Sequence, residues 1–81
     1  MEIDVHFFSY FKELTGCAQT RQTLPVGATI HDLLHQLHAR FPRLEPLERS
    51  TLVAVGLEYQ PRDHALREGD EVSLFPPVQG G

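Results

Sequence analysis

Apolar and polar residues alternate at the start of the chain, which predicts a half-buried β-strand over residues 2–8. The apolar positions of this strand share one face: Ile3, Val5 and Phe7. Phe8 interrupts the alternation because it places a large aromatic ring on the otherwise polar face. Ser9 is a suitable N-cap for a short helix over residues 10–15, and Gly16 can adopt the left-handed conformation that ends a helix.

The clearest pattern in the chain is an amphipathic helix that begins after Thr29. Thr29 and Asp32 have the spacing of a capping box, in which each side chain bonds the other residue's backbone N–H. The apolar positions that follow have the period of one buried helix face: Ile30, Leu33, Leu34, Leu37 and Phe41. Pro42 then prevents the helix from continuing. Before this helix, the polar residues 19–24 predict a strand at a sheet edge or in a hairpin with the first strand.

The second half of the chain predicts three further strands. Residues 42–50 form a connection interrupted by prolines, with room for one helical turn. Residues 51–55 are a nearly continuous apolar run, typical of a central strand buried on both faces. A turn at Gly56 leads into a short edge strand over residues 57–60, and residues 71–75 form the last strand.

The order of these elements favours a single architecture. One amphipathic helix cannot bury its apolar stripe alone, but it can do so across one face of a sheet. The first and last strands are rich in apolar residues, so we expect them to lie centrally. The sequence therefore predicts an α+β domain of the β-grasp type over residues 1–75, in which a mixed sheet of four or five strands packs on one main helix. An extended C-terminal tail is expected over residues 76–81.

Length and charge restrict the classes of function. A chain of 81 residues allows one small domain, which favours a carrier, adaptor or small subunit over a self-sufficient enzyme. Its net charge of −4 argues against nucleic-acid binding. The longest apolar run, residues 52–57, is far shorter than a membrane span, and the acidic start is unlike a signal peptide. We expect a cytoplasmic protein that binds neither nucleic acid nor a membrane.

The last six residues carry the most specific signal. Pro76 and Pro77 hold the backbone extended and donate no amide hydrogen bonds, so they start a stiff arm. Gly80 and Gly81 then give a thin end that bears a carboxylate. Such an arm can enter a narrow channel in another protein.

A docking patch is expected beside this arm. If Val72 and Leu74 face the helix, Phe75 lies on the opposite face of the sheet, where Phe8 also points. Two aromatic rings on an exposed face favour a partner surface. The alternative is that the connection holding Leu44 and Leu47 covers this face.

Other chemically active residues give weaker signals. Three histidines share one side of the main helix, where a solvated flank is favoured over a metal site: His31, His35 and His38. Cys17 could carry sulfur as a persulfide, but it has no evident base or cation beside it. Asp70 and Glu71 are adjacent and point to opposite faces, so they cannot act as a pair. No metal site and no stably bound cofactor are expected.

The chain resembles the ubiquitin-like sulfur carriers, and most closely the family of molybdopterin synthase small subunits, the MoaD family. Matching segments span nearly the whole chain: residues 8–16, 24–30, 32–34, 53–55, 58–59, 69–72 and 75–78, before the terminal Gly80–Gly81 pair. The approach to that pair through proline, proline and valine is specific to this family among β-grasp carriers. Gly56 stands where the family often has asparagine, and Gln79 is bulkier than the usual small residue.

The resemblance implies a role in molybdenum cofactor biosynthesis. An E1-like partner would use ATP to adenylate Gly81, a sulfur donor system would convert it to a thiocarboxylate, and the sulfur would pass to cyclic pyranopterin monophosphate. That last step would occur in the large subunit of molybdopterin synthase, which would supply the catalytic residues. Gly80 would accompany Gly81 into the large subunit. The expected partner-binding residues are Phe8, Phe75, Pro76, Pro77, Val78 and Gln79.

Alternatives from other functional classes remain. The chain could carry sulfur for another pathway, such as thiazole synthesis or nucleotide thiolation. It could be a ubiquitin-like modifier joined through Gly81 to lysine amines by the same activation. It could also be a β-grasp adaptor whose tail merely ends in glycine.

Overall fold

The computed structural model describes residues 1–77. Three kinds of element occur in it. The strands are β1 (Glu2–Phe7), β2 (Gln19–Thr23), β3 (Leu52–Val55), β4 (Glu58–Tyr59) and β5 (Glu71–Phe75). The helices are α1 (Phe11–Thr15) and α2 (Ile30–Arg40), and a 3₁₀ segment (Pro42–Ser50) follows α2.

The five strands form one mixed sheet in the order β2-β1-β5-β3-β4. β1 and β5 are parallel, whereas the other neighbouring pairs are antiparallel. The predicted interior position of the first and last strands is confirmed, and so are the edge positions of the polar second strand and the short fourth strand. This sheet, with its main helix, is the predicted β-grasp architecture.

One strand was predicted in the wrong environment. The run that includes β3 was expected at the centre, buried on both faces, but β3 lies second from the edge because β5 inserts between it and β1. Val53 and Ala54 are buried, whereas Leu52 is 37% exposed on the face away from the core. An apolar run alone does not distinguish a doubly buried strand from one with an exposed apolar face.

The core lies between α2 and one face of the sheet. The predicted helix stripe is confirmed, since four of its members are at most 1% exposed: Ile30, Leu33, Leu34 and Leu37. The alternating residues of the central strands meet them: Ile3, Val5, Phe7, Val72 and Leu74. Phe41, the residue after the helix, packs edge-on against Phe7 with ring centroids 5.6 Å apart. Burial of each large side chain contributes about 1.5–3 kcal/mol.

The 3₁₀ segment closes the core on the helix side. It is longer than the single turn that was expected, and it buries Leu44 in the core cluster. Arg62 fixes its end, because its guanidinium donates to Glu48 O at 2.9 Å and to Thr51 O at 2.7 Å. The segment contacts both helices, so the alternative in which it covers the opposite sheet face is wrong.

Helix α2 begins with the predicted capping box. Thr29 Oγ1 accepts from Asp32 N at 3.3 Å, and Asp32 Oδ2 accepts from Thr29 N at 2.9 Å. The hydrogen bond from the Thr29 backbone is the main reason that the pKa of Asp32 is lowered. The capping box therefore fixes the start of α2, where the chain leaves the connection that follows the edge strand β2.

In the part of the chain that the structure describes, no helix has both the length and the apolarity needed to cross a membrane.

Replacement of Thr29 by alanine should lower the free energy of unfolding by about 1 kcal/mol, since it removes the acceptor for Asp32 N. Thr29→Ser retains the hydroxyl and should stay close to the parent protein. Urea denaturation at neutral pH measures both variants. Equal losses for alanine and serine would show that the threonine methyl, and not the cap, stabilises the helix start.

Candidate functional site

Two phenylalanine rings meet on the sheet face opposite α2, as predicted. In the parallel pairing of β1 and β5, Phe7 lies opposite Leu74, and Phe8 N donates to Leu74 O at 3.1 Å. Because Phe7 and Leu74 point into the core, the residues that follow them point outward together. The rings of Phe8 and Phe75 stack with centroids 4.6 Å apart and an interplanar angle of 14°.

Ser9 turns the chain immediately after this stack. Its φ of +56° is a left-handed conformation that few residues other than glycine adopt, and its carbonyl accepts from Lys12 N at 3.2 Å. The turn sends Phe11 into the core while Phe8 stays outside. The expectation that Ser9 caps the helix is wrong: the N-cap is Tyr10, without a side-chain hydrogen bond. Ser9 serves the turn through its backbone. The predicted left-handed stop at the end of α1 is confirmed, with Gly16 at φ +79°.

Leu52 and Tyr59 enlarge the aromatic surface, and sequence reasoning missed both. Leu52 lies directly opposite Phe75 in the register of β3 and β5. The Tyr59 ring packs edge-on against Phe75, with centroids 6.2 Å apart. Tyr59 is 66% exposed although it is aromatic. The alternation within the fourth strand could have marked Tyr59 as facing away from Glu58, but only the pairing with β3 shows that it faces Phe75.

These side chains and the two prolines that follow β5 form an apolar surface that we call the outer patch: Phe8, Leu52, Tyr59, Phe75, Pro76 and Pro77. Most of them, together with Ser9 and Tyr10, line an open hollow of about 520 Å³. Of the predicted partner-binding residues, the structure thus brings together Phe8, Phe75, Pro76 and Pro77. An exposed apolar surface of this kind is typical of a protein–protein contact.

The remaining predicted site residues lie outside the described residues: Val78, Gln79, Gly80 and Gly81. Pro76 and Pro77 continue from the end of β5, the middle strand of the sheet. The outer patch therefore surrounds the point at which the chain leaves the sheet. The division into a domain and a tail after residue 75 stays a prediction.

The other half of the same sheet face is charged. Arg21 lies 3.0 Å from Asp4 Oδ1 and 3.9 Å from Glu2 Oε2, and the hydrogen bond with Asp4 is the main reason that the Arg21 pKa is raised. Next to this group, His6 Nε2 lies 3.5 Å from Glu71 Oε1. The face is thus divided into an apolar half around the end of β5 and a polar half around its start.

The three histidines of α2 line a groove with Glu45 and Glu48: His31, His35 and His38. Burial is the main cause that lowers the pKa of His38, and the two glutamates oppose it. Within residues 1–77, no group of three or more histidine, cysteine or acidic side chains is arranged to hold a metal ion. The histidines are half-buried or exposed, as the predicted helix flank requires.

Cys17 and the pair of acids occupy separate structural settings. Cys17 is half-buried against the core, with its Sγ 3.8 Å from Thr15 Oγ1. Asp70 precedes β5 and accepts a hydrogen bond from Arg67 N at 2.8 Å, whereas Glu71 lies beside His6. The two carboxylates therefore have different neighbours.

The five-stranded mixed sheet packs on one main helix, and an apolar patch lies where the chain leaves the middle strand. This architecture is that of a ubiquitin-like β-grasp domain. A model of the ThiS family matches residues 5–81. The chain belongs to the ThiS family.

Two of the relatives that match this chain over their full lengths have different names, one as a sulfur carrier subunit and one as a modifier protein. The molybdopterin synthase sulfur carrier subunit of Chlamydomonas reinhardtii is 37% identical over 83 residues, which cover 100% of both chains. Small archaeal modifier protein 3 of Haloferax volcanii is 33% identical, again over 100% of both chains. The crystal structure of SAMP1 from Haloferax volcanii superimposes with a TM-score of 0.87 at 27% identity and covers 100% of both chains.

Acidification should destabilise the protein partly through His38. Because burial lowers its folded-state pKa below the unfolded value, its contribution is present above the unfolded pKa and is lost as pH falls from there toward the folded pKa. The urea midpoint of the parent should therefore fall more between about pH 7.5 and about pH 5.5 than that of His38→Gln.

His35→Gln, at an exposed position of the same groove, is the control and should retain the acid sensitivity of the parent. If the urea midpoints of the parent and of His38→Gln depend on pH in the same way, His38 does not contribute to the acid sensitivity.

Proposed function

We propose that this chain is the sulfur carrier subunit of a molybdopterin synthase. The observation that carries the proposal is the full-length match to sulfur carrier subunits, in a chain whose apolar patch surrounds the start of its Pro-Pro-Val-Gln-Gly-Gly segment. A carrier needs a folded domain that a partner recognises and a reactive group at some distance from the recognised surface. The outer patch supplies the first, and Gly81 is proposed to supply the second.

The proposed chemistry begins with activation, because a free carboxylate is a poor electrophile. The Gly81 carboxylate attacks the α-phosphorus of ATP on an E1-like enzyme, which forms the acyl adenylate and releases pyrophosphate. Sulfide equivalents from a donor system then attack the carbonyl carbon and displace AMP. The product is a thiocarboxylate on Gly81.

Transfer takes place in the large subunit of the synthase. The thiocarboxylate sulfur bonds to a carbon of cyclic pyranopterin monophosphate while a carbon–oxygen bond at that carbon breaks and the oxygen leaves with the electron pair. Water then cleaves the thioester between Gly81 and the sulfur, which regenerates the Gly81 carboxylate and leaves the sulfur on the product as a thiolate. A dithiolene contains two sulfur atoms, so two carrier thiocarboxylates are consumed for each product. Gly80 has no side chain and would let the terminus enter a narrow channel.

Docking through the outer patch would hold the tail at this channel. Phe8, Phe75 and Tyr59 present rigid rings, and such residues are frequent at the centres of interfaces. Pro76 and Pro77 restrict the direction in which the chain continues, which lowers the entropy lost on binding. The proposed partner surface is therefore an apolar hollow next to the channel entrance.

Incubation with ATP, an E1-like enzyme and a sulfur donor should replace one oxygen of the chain by sulfur. Intact-mass and fragment-ion spectra should place this change on Gly81, and a variant that lacks Gly81 should remain unmodified. An unmodified parent chain, under conditions in which another carrier is converted, would overturn the proposal.

The same experiment tests a second candidate, a protein modifier, which the match to small archaeal modifier protein 3 favours. Lys12 is the one lysine of the sequence, so Lys12→Arg cannot form lysine-linked conjugates with itself. Branched isopeptide adducts between Gly81 of this variant and lysines of other proteins would identify a modifier. Thiocarboxylate without such adducts would identify a carrier.

Phe75→Ala should weaken binding to the large synthase subunit by roughly 30-fold or more, since loss of a central aromatic anchor costs about 2 kcal/mol. Calorimetry with the untagged C-terminus measures this effect. Val26→Ala is the control, because Val26 is 92% exposed but follows β2, at the opposite end of the sheet from Phe75. Equal affinities for the two variants would exclude the outer patch as the docking surface, and urea denaturation checks that both are folded.

A further inference from the structure

A second hollow adjoins the outer patch on the same face of the sheet. It has a volume of about 340 Å³, and small residues form its floor, since Ala54 of β3 lies directly opposite Ser73 of β5. Tyr59, which pairs with Ala54, and the exposed Leu57 form the wall at the sheet edge. Phe75 bounds the hollow at one end.

Glu71 bounds the other end. It lies four residues before Phe75 on β5, so about 13 Å of strand separates their Cα atoms, and both side chains face outward across Ser73. The Glu71 carbonyl accepts from Gly56 N at 2.9 Å, which fixes the strand at the margin of the hollow. The hollow is therefore apolar at one end and carboxylate-bearing at the other.

The carboxylate of Glu71 has a different basic neighbour from the other carboxylates on this face. Asp4 and Glu2 share the guanidinium of Arg21. Within residues 1–77, the basic group within 4 Å of the Glu71 carboxylate is His6, at 3.5 Å, which is charged only when protonated. Glu71 is also 64% exposed. At neutral pH this end of the hollow consequently attracts a cation from outside the chain.

We propose that this hollow receives an arginine side chain of the protein that docks on the outer patch. The aliphatic stem of the arginine lies over Ala54 and Ser73 beside the rings of Tyr59 and Phe75, and its guanidinium bonds the Glu71 carboxylate. Arginine fits better than lysine, because a planar guanidinium both packs on aromatic rings and forms paired hydrogen bonds with a carboxylate. This inference rests on the proposed function for its partner, but the site itself is tested on the isolated chain.

N-acetyl-arginine methylamide is the first probe. In amide NMR spectra at neutral pH, it should shift the signals of Ala54, Gly56 and Ser73 more than equal concentrations of the matching lysine or norleucine derivatives do. Glu71→Gln should reduce this response about fivefold or more. Glu58→Gln is the matched control, because it removes the same charge from β4, where alternation with Tyr59 directs residue 58 to the other face of the sheet.

Two results would overturn the proposal: equal shifts from the norleucine derivative, or equal losses in the two glutamine variants. Tyr59→Leu provides a second variant that retains an apolar wall without a ring. It should reduce the preference for arginine over lysine while it leaves the response to norleucine unchanged.

Calorimetry with the large synthase subunit separates this proposal from the proposed function. Glu71→Gln should weaken the complex roughly tenfold and reduce its dependence on salt, whereas Glu58→Gln should match the parent. If Phe75→Ala disrupts the complex but Glu71→Gln behaves as Glu58→Gln does, the arginine site is wrong and the carrier proposal stands. If all three variants bind as the parent does, the docking surface itself is wrong.

Discussion

The parallel pairing of β1 with β5 is the constraint on which the rest of the structure depends. It joins the first and last strands at the middle of the sheet, and its register sets Phe7 opposite Leu74 in the core. The same register stacks Phe8 on Phe75 on the other face. A shift by one residue would exchange the buried and exposed side chains of one strand, which would lose the core contacts and the outer patch together.

The two faces of the sheet consequently have different roles. The face toward α2 holds the aliphatic side chains that stabilise the fold, and the other face exposes aromatic rings near the end of β5. The stacked pair of Phe8 and Phe75 is worth about 0.5–1.5 kcal/mol beyond its area, so the rings are held in place before any partner binds. A rigid apolar patch loses little entropy on docking, which suits a small carrier whose reactive group is proposed to lie elsewhere on the chain.

Much of the fold could be predicted because local signals agreed with one another. The alternation of β1, the capping box at Thr29 and the stripe of α2 each depend on neighbouring residues, and each was found where expected. Predictions that needed a neighbour from a distant part of the chain were less accurate. The environment of β3 depends on the insertion of β5, and the path of the 3₁₀ segment depends on Arg62, which lies beyond it in sequence. The role of Ser9 depends on a left-handed turn that a serine rarely forms.

The sequence by itself determined the element order, the apolar face of α2, the outward direction of Phe8 and Phe75, and the resemblance to sulfur carriers that the family match confirmed. These features follow from periods of two and 3.6 residues or from contiguous motifs. Only the tertiary structure decided that Tyr59 and Leu52 join Phe75, and that Ala54 and Ser73 leave a hollow ending at Glu71. The physical reason is strand register: side-chain direction is a local property, whereas lateral neighbours are set by hydrogen bonds between strands that are distant in sequence.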